Sequence, residues 1–186
     1  MFNYIKYMFF TLPKNILILQ YKKNFKIIGQ LGIIQIPINP QLQNSLVLKL
    51  KKNNKNIIVE LIVLNPNLKT EIKTLYTNLI NTIFGVQIGY SLDLVLIGNG
   101  YRVEEKIPGN FTFQIGYTHP ILLSTPKGIQ IKRLTNNKIH LFCNNINKLS
   151  QVSDSIKNLR PIEFYKGKGI RDSNFIVKIR KKKKDK

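Results

Sequence analysis

Between Asn15 and Leu64 the apolar residues arrive in short runs, ILILQY, FKII, GIIQIPI, LVLKL and IIVELIVL, cut apart by Asn, Lys, Gly and Pro. Such runs bounded by turn formers read as strands of an antiparallel sheet. After Asn65-Pro66-Asn67 the period lengthens. Ile72, Leu75, Leu79 and Ile83 recur every three to four residues, with Glu71 ahead of the stripe and Gly85 just past its end. That spacing predicts one amphipathic helix that stops at Gly85.

The second half repeats the order. Strand-like LDLVLIG, FTFQIGY, GIQIKRL and KIHLFC precede a helix-period set at Ile146, Leu149, Val152, Ile156 and Leu159. A helix buries its apolar stripe on one face of an antiparallel sheet, so each half has the parts of a two-layer core. The expected class is α+β: two tandem, similar domains, each an antiparallel sheet packed with one main helix, as a duplication would leave. The boundary falls near Val86 to Tyr90, giving domains over 1–87 and 88–186. Beyond the second helix, Phe175, Val177 and Ile179 alternate with Ile176, Lys178 and Arg180, which suggests one more strand at a sheet edge. From about residue 181 only KKKKDK remains, a like-charged run that buries nothing and is expected to stay disordered unless it meets phosphate.

Charge changes the picture from fold to partner. The formal net charge is +21. Residues 1–87 carry 11 basic and 2 acidic side chains (+9), and residues 88–186 carry 19 and 7 (+12), so basicity belongs to the whole chain. Residues 160–186 concentrate it, with eleven Lys and Arg against three acids. Eight surplus cations in one segment call for an external polyanion, and nucleic acid is the leading candidate. The single cysteine, Cys143, forms no internal disulfide and no multi-Cys zinc site, and it reads as a buried small hydrophobe. No run approaches the roughly 20 apolar residues of a membrane helix. The apolar start, MFNYIKYMFF, is broken by Lys6 and followed by Pro13. The first arginine is Arg102, unlike an Arg-rich transit peptide. Ala and Trp are absent while Ile, Asn and Lys abound, a bias toward A/T-rich codons. Synthesis inside an organelle, the mitochondrion first, is the expectation, with a plastid or an A/T-rich bacterial cytoplasm as alternatives.

The sharpest candidate for chemistry is Tyr165-Lys166-Gly167-Lys168-Gly169-Ile170-Arg171. Glycine lets backbone lie close to a sugar-phosphate chain, the flanking cations and N–H groups supply donors, and Tyr165 can stack or bond a ribose. The same residues also read as a solvated basic turn. A P-loop does not fit, since Gly169 stands where GxxxxGK[ST] needs a hydroxyl. GNGYR at 98–102 and GYTHP at 116–120 read as strand-end turns. Arg102 and His119 either face RNA there or, for His119, hydrogen-bond backbone. A dinucleotide site is not indicated, because G-x-G lacks the rest of its fingerprint. His119 and His140 have no metal-ligand spacing, and Glu104-Glu105 fall on opposite faces of a strand. No nucleophile-base set stands out, so an enzyme, a metal and a cofactor are all argued against.

GNGYR, GYTHP, TPKGI at 125–129, LRP at 159–161 and EFYKGKGIR at 163–171 stand in an order that resembles the universal sixth protein of the large ribosomal subunit. YKGKGIR is the most specific mark. LPKNILI and IIGQLGIIQ resemble the family's opening hairpin, and the first helix ends in IFGVQIGYS. The resemblance implies two α+β domains of like fold, the second anchored on large-subunit ribosomal RNA near the sarcin-ricin loop and the base of the lateral stalk, beside neighbouring ribosomal proteins. It implies RNA contact by Arg160, Tyr165, Lys166, Gly167, Lys168, Gly169 and Arg171, with Lys178, Arg180, Arg102 and His119 added, and a structural role in translation with no small-molecule substrate. Where the family has two prolines this chain has Ile162 and Phe164, which predicts a less stiff approach to the loop. A free-standing basic RNA-binding regulatory module is the alternative. A lipid-bound peripheral protein is disfavoured, because no amphipathic helix flanks the basic tail.

Overall fold

The computed structural model describes residues 5–13, 15–21, 23–43, 46–52, 57–63 and 68–180. Asn65-Pro66-Asn67 and KKKKDK lie outside the described residues. The chain divides into two compact units, Met1–Gly89 and Tyr90–Lys186.

The first unit runs β1 (Ile5–Leu12), β2 (Leu17–Gln20), β3 (Asn24–Gly29), β4 (Gly32–Pro37), a single turn α1 (Pro40–Gln43), β5 (Leu46–Lys52), β6 (Ile57–Val63) and α2 (Lys69–Gln87). Its strands form two three-stranded antiparallel sheets, ordered β2-β3-β4 and β1-β6-β5. Gly29 pairs with Gly32 across a two-residue turn, so IIGQLGIIQ is a hairpin. Period-two alternation drives Phe25 and Ile27 of β3 and Ile34 and Ile36 of β4 inward, where they meet the α2 stripe Ile72, Leu75, Leu79, Ile83 and Val86. Phe10, Leu12, Val59 and Leu61 complete the same core from the other sheet.

Helix α2 does not stop at Gly85 as its stripe predicts; it continues to Gln87. A helical glycine costs about 1 kcal/mol relative to alanine. Val86 offsets this, being fully buried while its carbonyl accepts a hydrogen bond from the Leu31 N–H at 3.0 Å.

The second unit runs β7 (Tyr90–Ile97), β8 (Arg102–Ile107), β9 (Asn110–Gln114), β10 (Ile121–Ser124), β11 (Ile129–Thr135), β12 (Lys138–Cys143), α3 (Ile146–Leu159) and β13 (Gly169–Asp172). Its sheets are β10-β9-β8 and β11-β12-β7-β13, antiparallel throughout. Asn145 caps α3, its side chain accepting from the Asn147 and Lys148 N–H groups. Leu149 and Ile156 of α3 pack with Leu94, Leu96, Ile139, Leu141 and Ile170, and Phe111 and Phe113 close the core from the smaller sheet. Cys143 is buried, its thiol donating to the Gly128 carbonyl at 3.2 Å.

The architecture is α+β with two similar sheet-and-helix units, although each unit divides its strands between two sheets. The strand predicted over 175–179 is absent. The free edge of β7 is taken by β13, out of the glycine-lysine segment itself, and the chain turns at Ser173, whose N–H donates to the Asp93 carbonyl. The alternating residues that follow pair with no strand among the described residues, and Phe175, Ile176 and Ile179 are exposed. Among the described residues no helix is long and apolar enough to cross a membrane.

Candidate nucleic-acid interface

Beyond Leu159, Arg160 leaves α3 in extended geometry and the chain folds back on itself. The Gly167 N–H donates to the Glu163 carbonyl at 2.7 Å, the Glu163 N–H to the Lys168 carbonyl at 2.7 Å, and the Ile170 N–H to the Arg160 carbonyl at 3.0 Å. Residues 160–163 therefore lie alongside 167–170 and close the loop. Gly169 is buried at φ 137°, and a Cβ there falls 2.7 Å from the Pro161 oxygen and 2.8 Å from the Ile162 Cα. Only glycine permits that backbone-on-backbone approach. The reason for this glycine thus differs from the one read in the sequence: its bare face is turned to its own chain.

At the tip, Tyr165 is 53% exposed and Lys166 is exposed. Gly167 and Lys168 are half-buried behind them. Arg180 returns to this tip, its N–H donating to the Phe164 carbonyl at 3.0 Å and its guanidinium carbon 5.5 Å from the centre of the Phe164 ring. The residue standing in place of a proline is thus an aromatic seat for a cation. Lys178 is exposed nearby in sequence. Arg171 parts from the group. It sits on β13 opposite Val95, and since Ile170 is buried and Asp172 bonds Lys157 of α3, alternation sends Arg171 to the sheet face away from α3.

Three of the sequence motifs converge on Arg160. Its guanidinium carbon lies 5.0 Å from the centre of the Tyr117 ring, and the Tyr117 hydroxyl donates to the Leu159 carbonyl at 3.1 Å. The hydroxyls of Tyr117 and, next, Tyr101 hold the Arg160 pKa above its ordinary value. Tyr101 is buried, its ring filling the space that a side chain at Gly98 or Gly116 would need. A Cβ at Gly98 falls 2.7 Å from that ring. GNGYR and GYTHP are accordingly a mould for one aromatic ring. The sequence reading missed both tyrosines, although glycines flanking an aromatic were a signal for such a packing.

Arg102 and His119 do not join the loop through any bond among the described residues. The Arg102 Nε donates to Gln114 Oε1 at 2.6 Å and pairs with Glu104 Oε1 at 3.1 Å, so its charge is already engaged. His119 is exposed in the bend after β9. On the larger sheet, Asp93 lies 2.8 Å from Lys138 Nζ and 2.6 Å from His140 Nδ1, and hydrogen bonds from Lys138 first and His140 second hold its carboxyl below the ordinary carboxylate value. Burial draws the Lys157 ammonium down, but Asp154 and Asp172 more than offset it and leave its pKa raised. Among the described residues no three His, Cys, Asp or Glu side chains gather as metal ligands.

Residues 97–173 match the family model described as Ribosomal protein L6. The large ribosomal subunit protein uL6 of Psychrobacter arcticus is 33% identical over 176 residues, 93% of this chain and 95% of that one. That of Burkholderia vietnamiensis is 28% identical over 158 residues, 84% and 85% of the two chains. That of Saccharophagus degradans is 39% identical over 106 residues, 55% and 59%. These relatives are bacterial and lend no support to the mitochondrial origin expected from composition. With loop, tyrosine mould and nearly full-length similarity in agreement, the chain belongs to the large ribosomal subunit protein uL6 family, a family of structural, non-enzymatic ribosomal proteins.

Proposed function

We propose that this protein is a structural constituent of the large ribosomal subunit that docks on large-subunit ribosomal RNA, in the factor-binding and sarcin-ricin region, through the loop at 160–171 together with Arg180. The observation that carries the reading is the self-closed loop, which keeps Tyr165 and Lys166 exposed at a tip that Arg180 also reaches. Cations in a fixed arrangement beside an exposed aromatic suit phosphate contact and ribose or base stacking. Arg171 and Lys178 add charge beside the loop, while Arg102 and His119 form a weaker outer set. The second unit is the docking domain, and its core of its own supports folding apart from the first. Neighbouring ribosomal proteins are the other partners. The A/T-biased composition supports translation within an organelle.

Sedimentation tests the assembly: the protein is expected at stoichiometric level in large subunits prepared from its source, and recovery in a soluble complex outside ribosomes would instead favour a regulatory RNA-binding module. Mass spectrometry of ribosomes from purified organelles tests the compartment, where absence of the chain overturns the organellar assignment.

A further inference from the structure

The four-stranded sheet β11-β12-β7-β13 turns Ile129, Ile131, Ile139, Leu141, Leu94 and Leu96 toward α3 and the core, so the residues between them fall on the opposite face. There Gln130 of β11 stands across from Phe142 of β12, and Lys132 across from His140. Cross-strand partners on one face lie about 5 Å apart, and the next pair along the strands about 7 Å away, so these four side chains form one cluster. Together they line a hollow of about 260 Å³. It is open to a ligand: Gln130 and Lys132 are exposed, the His140 side chain is 32% exposed and Phe142 is half-buried. Among the described residues no side-chain hydrogen bond or ion pair engages Gln130 or Lys132. His140 is held in place, its Nδ1 2.6 Å from Asp93 Oδ1. A carboxylate only accepts, so Nδ1 carries the proton and Nε2 is the ring atom left for a ligand. The sign of the charge narrows that ligand. Against Lys132, Lys138 and Arg171, the described strands set one carboxylate on this face, Asp93, and Lys138 already pairs it at 2.8 Å.

We propose that this hollow takes one nucleotide of single-stranded RNA, its base stacked on the Phe142 ring, with Gln130 at the base edge, Lys132 at the phosphate and His140 Nε2 accepting from the ribose 2′-hydroxyl. Every base has a π-face to stack, a side-chain amide both donates and accepts, and an ammonium meets phosphate as a point charge. Aromatic side chains on the open face of an antiparallel sheet hold splayed bases in this way, whereas the bases of a duplex are already stacked on one another. An acidic peptide would use Lys132 and give the ring nothing to stack on. The volume is at the small end for ligand pockets, room for one base. The inference goes beyond docking through the loop: it assigns a second contact, on the sheet face, that stands or falls separately.

Nuclear magnetic resonance on the ¹⁵N-labelled full chain carrying Lys166→Ala and Lys168→Ala, which disarm the loop, tests it with a short single-stranded oligouridylate as probe and inorganic tripolyphosphate as control. Saturable shifts at the amides of Gln130, Lys132, His140 and Phe142 are expected with the oligonucleotide, and binding about tenfold weaker with tripolyphosphate. Phe142→Leu keeps an apolar side chain but removes the ring, and is expected to weaken oligonucleotide binding about tenfold. Should that variant fail to fold, Gln130→Ala changes only an exposed amide and is expected to weaken binding about threefold. Absence of saturable shifts at these four residues, equal responses to oligonucleotide and tripolyphosphate, or unchanged affinity in the folded variants overturns the proposal. Docking through the loop is read separately, from the affinity lost on introducing Lys166→Ala and Lys168→Ala.

Discussion

The two units share a plan, a helix laid on antiparallel strands, and differ in what the plan carries. All five arginines, at 102, 133, 160, 171 and 180, fall in the second unit, whereas the eleven cations of residues 1–87 are all lysines. Among the described residues the second unit also has a fourth strand in its helix-bearing sheet, where the corresponding sheet of the first has three. That extra strand, β13, is the far side of the basic loop, so the candidate docking element is hydrogen-bonded into the sheet that holds the core. Arginine adds forked donors where lysine offers a point charge. One architecture thus appears twice, and the proposed binding chemistry lies on a segment of the second copy.

The comparison is broken most severely at the glycines that hold each unit's turn. Gly169→Val forces a side chain onto Pro161 and Ile162 backbone at positive φ, with an expected loss of about 3 kcal/mol in thermal or denaturant unfolding. In the first unit, Gly29→Ala puts a Cβ 2.5 Å from Cγ1 of the fully buried Val86 and 3.2 Å from its carbonyl oxygen, so a loss of about 2 kcal/mol is expected. Next comes charge. Replacing Lys166, Lys168 and Arg171 together by Ala is expected to lower the log-log salt slope of RNA binding by roughly two to three units, while the same treatment of Lys23, Lys26 and Lys73 changes it by less than about one. Equal effects from the two triples would erase the functional distinction between the units.

A milder test is excision. Residues 90–186 made alone are expected to unfold cooperatively and to bind RNA within about threefold of the full chain; a molten fragment argues for one merged domain. The smallest effect is in acid. Asp93 has a folded pKa below its unfolded value, so its contribution is fully present above the ordinary carboxylate value of 3.8 and is lost as pH falls through the folded value. Asp93→Asn should remove that part of the acid dependence, worth at most about 1 kcal/mol for a pair this exposed, and should leave the unfolding of the first unit unchanged.

Much of the fold was legible because burial imposes its period on sequence. The stripes at Ile72 to Ile83 and Ile146 to Leu159 mark α2 and α3, since each is one face against a sheet. Local rules misjudged the places where tertiary pairing decides. Gly85 reads as a stop, but packing at Val86 outweighs its low helix propensity. Gly169 reads as loop, yet it opens a strand because β7 has an edge to fill. Alternation at 175–179 reads as a strand and finds no partner. For the candidate site, the motif YKGKGIR was visible, but the seats that position it were not. Phe164 beneath Arg180 and Tyr117 beside Arg160 depend on residues brought together from 16 to 43 positions apart.

The hydrogen bonds closing residues 160–170 also bear on the order of assembly. A limp cationic segment gives up conformational entropy on meeting RNA, on the order of 1–2 kcal/mol per ordered residue. This loop gives it up when the protein folds, so less of the interaction energy is consumed at docking. On the docking proposed above, the protein brings to RNA a loop whose shape is already set by its own hydrogen bonds.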